Sequence, residues 1–236
     1  MIPETQINEF VDRLKNAAGT NLESMLLYGS AVSDDFHAEY SDVNVLCIVR
    51  ELSASALQAL APAVNRWTQS KHPAPLIFTG EELNRSADVF PIEMLDMQRR
   101  HRLLHGTDVL KSVKVPLDLH RVQLEHDLRT KLILLRQHYL SAAGDNKKVL
   151  HLMLGSVSSF ITLFRHVQIA MGEQPPEPKR KVVELLAEKL RFDPGPFFDL
   201  LDIREHHLKP DTSDIHESFS RYLRAIEAVI RAVDNL

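Results

Sequence analysis

Apolar residues at Ile7, Phe10, Val11 and Leu14 recur three or four apart, so residues 4–17 predict an amphipathic helix ended by Ala17-Ala18-Gly19-Thr20. Two short apolar runs follow, Ser24–Tyr28 and Val43–Val49, each bounded by turn residues, and both read as buried strands. Residues 54–69 have helical spacing, with Pro62 expected to break or kink the helix. Ala74–Gly80 predicts a third strand and residues 81–87 a short helix. In Phe90–Met97, Ile92 and Met94 alternate around Glu93, which predicts a fourth strand, followed by the basic stretch Gln98–Arg102.

The period changes after Pro116. Leu128, Leu132, Leu135 and Tyr139 step by four, three and four. Residues 146–172 predict one long helix, and residues 173–180 a loop feeding another helix that ends at Leu190. Asp193–Phe197 reads as a turn. Ile215, Phe219, Tyr222, Ile226, Val229 and Val233 then form a continuous apolar stripe, which suits a bundle interior or a dimer seam. The expected organisation is an α+β protein: an α/β domain over residues 1–116 with a small mixed sheet, then an all-helical bundle over 117–236.

Composition narrows the function classes. Hydrophobic residues are 44% and charged residues 25%, with a net charge of −4, as in ordinary globular domains. No strongly basic stretch calls for nucleic acid or an anionic membrane. The N-terminus lacks a basic region followed by an apolar one, and no uninterrupted apolar run approaches the roughly 20 residues of a membrane span. The single cysteine, Cys47, lies in an apolar strand and reads as core. A cytoplasmic protein is expected.

The chemistry concentrates between Leu26 and Val49. Gly29-Ser30 follows the first strand, and Asp42 and Asn44 head the second, two apart and so expected on one strand face. Glycine lets backbone approach a phosphate, serine adds a hydroxyl and an N–H, and paired oxygen ligands suit a hard cation such as Mg²⁺. Glu93, on the predicted fourth strand, is a charge that needs solvent, a partner or a ligand. Asp96 is its competitor, on the opposite strand face.

Tyr-Gly-Ser, eleven residues, then Asp-Val-Asn before an apolar strand resembles the signature of the nucleotidyltransferase fold of the DNA polymerase β superfamily. The α/β domain followed by a bundle is similar to the kanamycin nucleotidyltransferase type of architecture. The resemblance implies that Gly29 and Ser30 hold the phosphates of ATP or another NTP. It also implies that Asp42, Asn44 and Glu93 ligate Mg²⁺, with Asp42 and Glu93 catalytic. The implied reaction moves a nucleoside monophosphate, AMP from ATP, onto a hydroxyl of a small-molecule or protein acceptor seated in the cleft beside the bundle. Asn44 departs from the signature, which has a second aspartate there, and the spacer is one residue longer than usual. The alternative is therefore a nucleotide-binding or partner-binding module with a weakened metal site.

Other clusters read more plainly. Gln98–Arg102 is a solvated helix face or a steering patch for triphosphate, and Pro178–Val182 is a surface cluster. His206-His207 and His101 with His105 lack carboxylates at zinc-motif spacing. Arg121 and His126 have the Arg-x4-His form of the HEPN-type ribonucleases, a match that chance also supplies.

Overall fold

The computed structural model describes residues 3–32 and 42–236. Most of the spacer between Ser30 and Asp42, residues 33–41, lies outside the described residues. The chain divides into two compact units, Met1–Leu117 and Asp118–Leu236.

The first unit runs α1 (Glu4–Ala18), β1 (Leu22–Tyr28), β2 (Asn44–Val49), α2 (Ala54–Gln69), β3 (Leu76–Thr79), α3 (Gly80–Ser86), α4 (Pro91–Arg99) and β4 (His101–Gly106). The four strands form one mixed sheet in the order β3-β2-β1-β4. β1 pairs antiparallel with both β2 and β4, while β2 and β3 are parallel. As the apolar runs imply, β1 is buried on both faces. Met25 and Leu27 pack under α1 and α2, against Phe10, Leu14, Ala63 and Trp67. Leu26 faces the other way, onto Leu83 of α3 and Met94 and Met97 of α4. Each leucine buried this completely contributes about 1.5–3 kcal/mol.

Local chemistry sets the helix ends. Ser53 caps α2 by accepting the Ala56 N–H at 3.2 Å. Thr79 and Glu82 cap α3 reciprocally, at 3.1 and 2.9 Å. α2 is continuous through Pro62.

The predicted fourth strand is a helix. Pro91 occupies the first turn of α4 and Glu93 lies in the same turn. Proline's missing N–H costs nothing there, and an acid favours the positive end of the helix dipole. Pro91, Ile92, Met94 and Met97 are the buried residues, a helical pattern that the Ile92–Met94 alternation imitates over three positions. The fourth strand is instead His101–Gly106, so the basic stretch spans the end of α4 and the start of β4 and is not one helix face. β4 is bulged against β1 between Met25 and Leu26. Next to the bulge, buried Ser24 donates from Oγ to the Thr107 carbonyl at 2.6 Å.

The second unit runs α5 (His120–Ala142), α6 (Asn146–Ala170), α7 (Lys179–Leu190), α8 (Gly195–Arg204) and α9 (Ile215–Val233). The segment Asp193–Phe197 opens α8, with Asp193 accepting the Gly195 N–H at 2.9 Å. All six residues of the Ile215–Val233 stripe are buried inside this chain. α6 is long and apolar enough to cross a membrane by length and composition, yet 61% of its apolar window is buried, as befits the central helix of a bundle. Arg204 is buried and donates to the Leu154 carbonyl at 3.2 Å and to Ser158 Oγ at 2.8 Å. Arg121, half of the Arg-x4-His match, is taken up by Glu125 and the Val233 carbonyl.

A buried histidine pair joins α5 to α6, with His120 Nε2 2.9 Å from His166 Nδ1. One ring donates and the other accepts, so neither needs a charge. Burial, and then the neighbouring His166, lowers the His120 pKa from 6.5 to about 4. The unfolded chain therefore takes up a proton that the folded chain refuses. Stability is complete above pH 6.5 and is lost as pH falls towards 4, by on the order of 3 kcal/mol. Urea unfolding between pH 7.5 and 4 should show this fall, and His120→Gln should flatten it. Gly106 sits at φ +75°, where a Cβ would lie 1.9 Å from the Glu23 carbonyl oxygen. Gly106→Ala should cost about 3 kcal/mol or more, read as a lowered unfolding midpoint.

Candidate functional site

The register of β1 brings three chain segments to one end of the sheet. Tyr28, the last residue of β1, lies opposite Asn44, the first of β2, and opposite His101, the first of β4. Gly29 follows at φ +78° and opens a short 3-10 turn that runs to Val32. Its N–H donates to the Arg100 carbonyl at 3.3 Å, which ties the turn to the junction of α4 and β4. A Cβ on Gly29 would stand 3.3 Å from Asn44 Nδ2, so the amide of Asn44 rests directly on the glycine. Glycine is needed here both for its positive φ and for this close approach.

Asp42 is exposed and precedes β2, so strand alternation does not reach it and the shared face expected for Asp42 and Asn44 is not imposed by the strand. Its carboxylate instead acts on His72. Burial lowers the His72 imidazole and the Asp42 charge opposes that shift. His72 is held by Gln6, with Nε2 2.7 Å from Oε1, and stacks on Trp67 at 4.1 Å.

Glu93 comes to the same end of the sheet by a different route from the one expected. It sits on α4, exposed, and not on a strand. Its charge reaches Tyr28: burial first, and then Glu93, pushes the phenol up to about 12. Asp96 lies one turn further along α4, so its expected place on an opposite strand face is also overturned. Neither strand after β2 carries an acid, since β3 reads Leu-Ile-Phe-Thr and β4 reads His-Arg-Leu-Leu-His-Gly.

The basic stretch is largely committed. Gln98 donates to the carbonyls of Leu110 and Val113, at 2.9 and 2.7 Å. Arg102 makes a bidentate pair with Glu4, both contacts 2.9 Å. His101 has both ring nitrogens engaged, Nδ1 with the Met97 carbonyl at 2.8 Å and Nε2 with Asp108 at 3.0 Å. Burial raises the Asp108 carboxyl, but hydrogen bonds from His101 and Lys111 outweigh it and leave the group below the usual carboxylate range. The His101–Asp108 pair escaped the sequence reading because its seven-residue separation spans β4, a strand the pattern did not resolve.

These donors suit one Mg²⁺ better than an adjacent pair. Two adjacent dications need several anionic ligands to offset their repulsion. Among the described residues, this end of the sheet offers the carboxylates of Asp42 and Glu93 and the amide of Asn44. Among the described residues, the His, Asp and Glu side chains that gather within 4.8 Å are Asp202, Glu205 and His207, in the second unit. Two carboxylates thus accompany His207, which spacing had not suggested. Asp202 is already paired with Arg180, whose guanidinium lies over Phe198 at 5.1 Å.

No protein-family model and no curated protein sequence matches the chain. Among solved structures, the spectinomycin adenyltransferase of Enterococcus faecialis, crystallised with ATP and spectinomycin, is similar over 95% of this chain and 99% of its own. The TM-score is 0.59 and the sequence identity 15%. The likeness spans both units, and with the mixed sheet and the Gly29–Ser30 turn it identifies the architecture: this chain has the nucleotidyltransferase fold followed by a helical unit.

Proposed function

We propose that the Gly29–Ser30 turn binds the phosphates of a nucleoside triphosphate, ATP foremost, without a bound metal pair, and that the chain acts as a nucleotide-binding module of the transferase fold. The observation that carries this reading is the Asn44 amide resting on Gly29. Where the resemblance implies a metal-binding carboxylate, this chain offers an uncharged amide whose N–H can donate to a phosphate. A phosphate oxygen that would otherwise reach the protein through a cation meets a donor directly. Such a contact supplies affinity and orientation. It does not supply the charge that a leaving pyrophosphate needs.

A second reading has its own support. Glu93 acts electrostatically on Tyr28 from α4, and the structural likeness covers the whole of a protein crystallised with ATP and spectinomycin. In that reading a hydroxyl of a small acceptor attacks the α-phosphorus of ATP. The new O–P bond forms, the bond to the β-phosphate oxygen breaks, pyrophosphate leaves, and Glu93 takes the hydroxyl proton. Ser30 and Asn44 would hold the phosphates in line.

Calorimetric titration of ATP into metal-free protein separates the two. The binding reading expects a Kd that changes less than about twofold on adding Mg²⁺ and survives Asp42→Ala. Asn44→Asp should then make binding depend on Mg²⁺, because the donor becomes an anion beside the phosphate. Gly29→Ala should weaken ATP binding about tenfold, or about 1.4 kcal/mol. Binding that requires both Mg²⁺ and Asp42, with pyrophosphate release in the presence of spectinomycin that Glu93→Gln abolishes, would establish transfer instead.

A further inference from the structure

A groove of about 340 Å³ lies between α1 and α2. That volume is within the range of small-molecule sites, roughly 300–1,000 Å³. Its floor is formed by Phe10, Ala63 and Trp67, all nearly fully buried. The floor is rigid. Trp67 is stacked on Phe10 at 4.5 Å and on His72 at 4.1 Å, and its Nε1–H donates to the Pro73 carbonyl at 2.8 Å.

Arg13 and Arg66 line the walls. Among the described residues neither makes an ion pair or a hydrogen bond, whereas arginines elsewhere are taken up, as Arg102 is by Glu4 and Arg129 by Glu125 and Asp234. Arg13 has Glu9 four residues earlier on α1, the favourable order for a helix pair, yet the pair is not formed. Arg66 has no acid within reach on its own helix, where Pro62, Ala63, Gln69 and Ser70 occupy the neighbouring positions. Two guanidinium groups without acid partners therefore meet in one preformed groove, and a guanidinium fork matches a phosphate in geometry as well as charge.

We propose that this groove is a binding site for a small sugar phosphate, with Arg13 and Arg66 holding the phosphate. The remaining wall groups decide the rest of the ligand. Glu9, Gln69 and Ser70 also line the groove and suit the hydroxyls of a polyol. Both faces of the Trp67 indole are already covered, so the groove has no stacking surface for a nucleobase. This site is independent of the nucleotide reading of the Gly29–Ser30 turn.

Trp67 is the only tryptophan of the chain and forms part of the groove floor, so its fluorescence reports on ligands bound there. The test titrates the full chain with glucose 6-phosphate, AMP, citrate and sodium sulfate at constant ionic strength. The expected result is a saturable change with glucose 6-phosphate, at least tenfold weaker for AMP, citrate and sulfate. Arg13→Gln and Arg66→Gln should each raise the apparent Kd at least tenfold, while Gly29→Ala leaves it unchanged. Both arginines are exposed, so the variants should keep the wild-type unfolding midpoint. No saturable change, an equal response to sulfate, tighter binding of citrate or AMP, or unaltered binding in both arginine variants would each overturn the proposal.

Discussion

The double antiparallel pairing of β1 is the constraint on which the first unit depends. Among the described strands, β1 alone has antiparallel partners on both sides, and its register sets Asn44 and His101 beside Tyr28. A slip of one residue would turn Leu26 and Leu27 to the wrong faces, and each is fully buried. Burial of these leucines therefore fixes where Gly29 stands relative to Asn44. The geometry of the candidate site follows from apolar packing several residues away from it.

At that end the chain combines a glycine turn with an amide and a small set of acids. Gly29 keeps the positive φ and the close approach that a phosphate-holding turn needs. Among the described residues, the acids identified at this end are Asp42 before β2 and Glu93 on α4. An uncharged amide at position 44 can turn an oxygen to a cation or an N–H to an anion. The arginines at 13 and 66 line a second place where an anion could be held.

Much of this was legible in the chain. β1 and β2 are short apolar runs between turn residues, and the long helical stripes of α5, α6 and α9 are unmistakable at their length. The α+β class and the Gly29–Ser30 turn followed from them. The failures are local and share one cause. Ile92, Glu93 and Met94 alternate over only three residues, too few to separate a period of 2 from one of 3.6, and the helix-start signals of Pro91 and Glu93 were the better guide. The mistaken strand then hid β4, and with it the pairing of His101 with Asp108. The contact of Asn44 with Gly29 depends on inter-strand register, which no single-strand pattern contains. Neither does one helix alone announce a groove that Arg13 and Arg66 line from two.

The bulge in β4 has a bearing on how this molecule behaves in a crowded solution. Among the described strands, the sheet ends at β3 on one side and at β4 on the other. β3 is only four residues long, and β4 is bent by its bulge and carries Arg102 pinned to Glu4. Short, kinked or charged edges make poor templates for a strand from another molecule. The irregularity beside Ser24 thus guards the sheet against edge-to-edge aggregation while costing the strand only one regular step of its ladder.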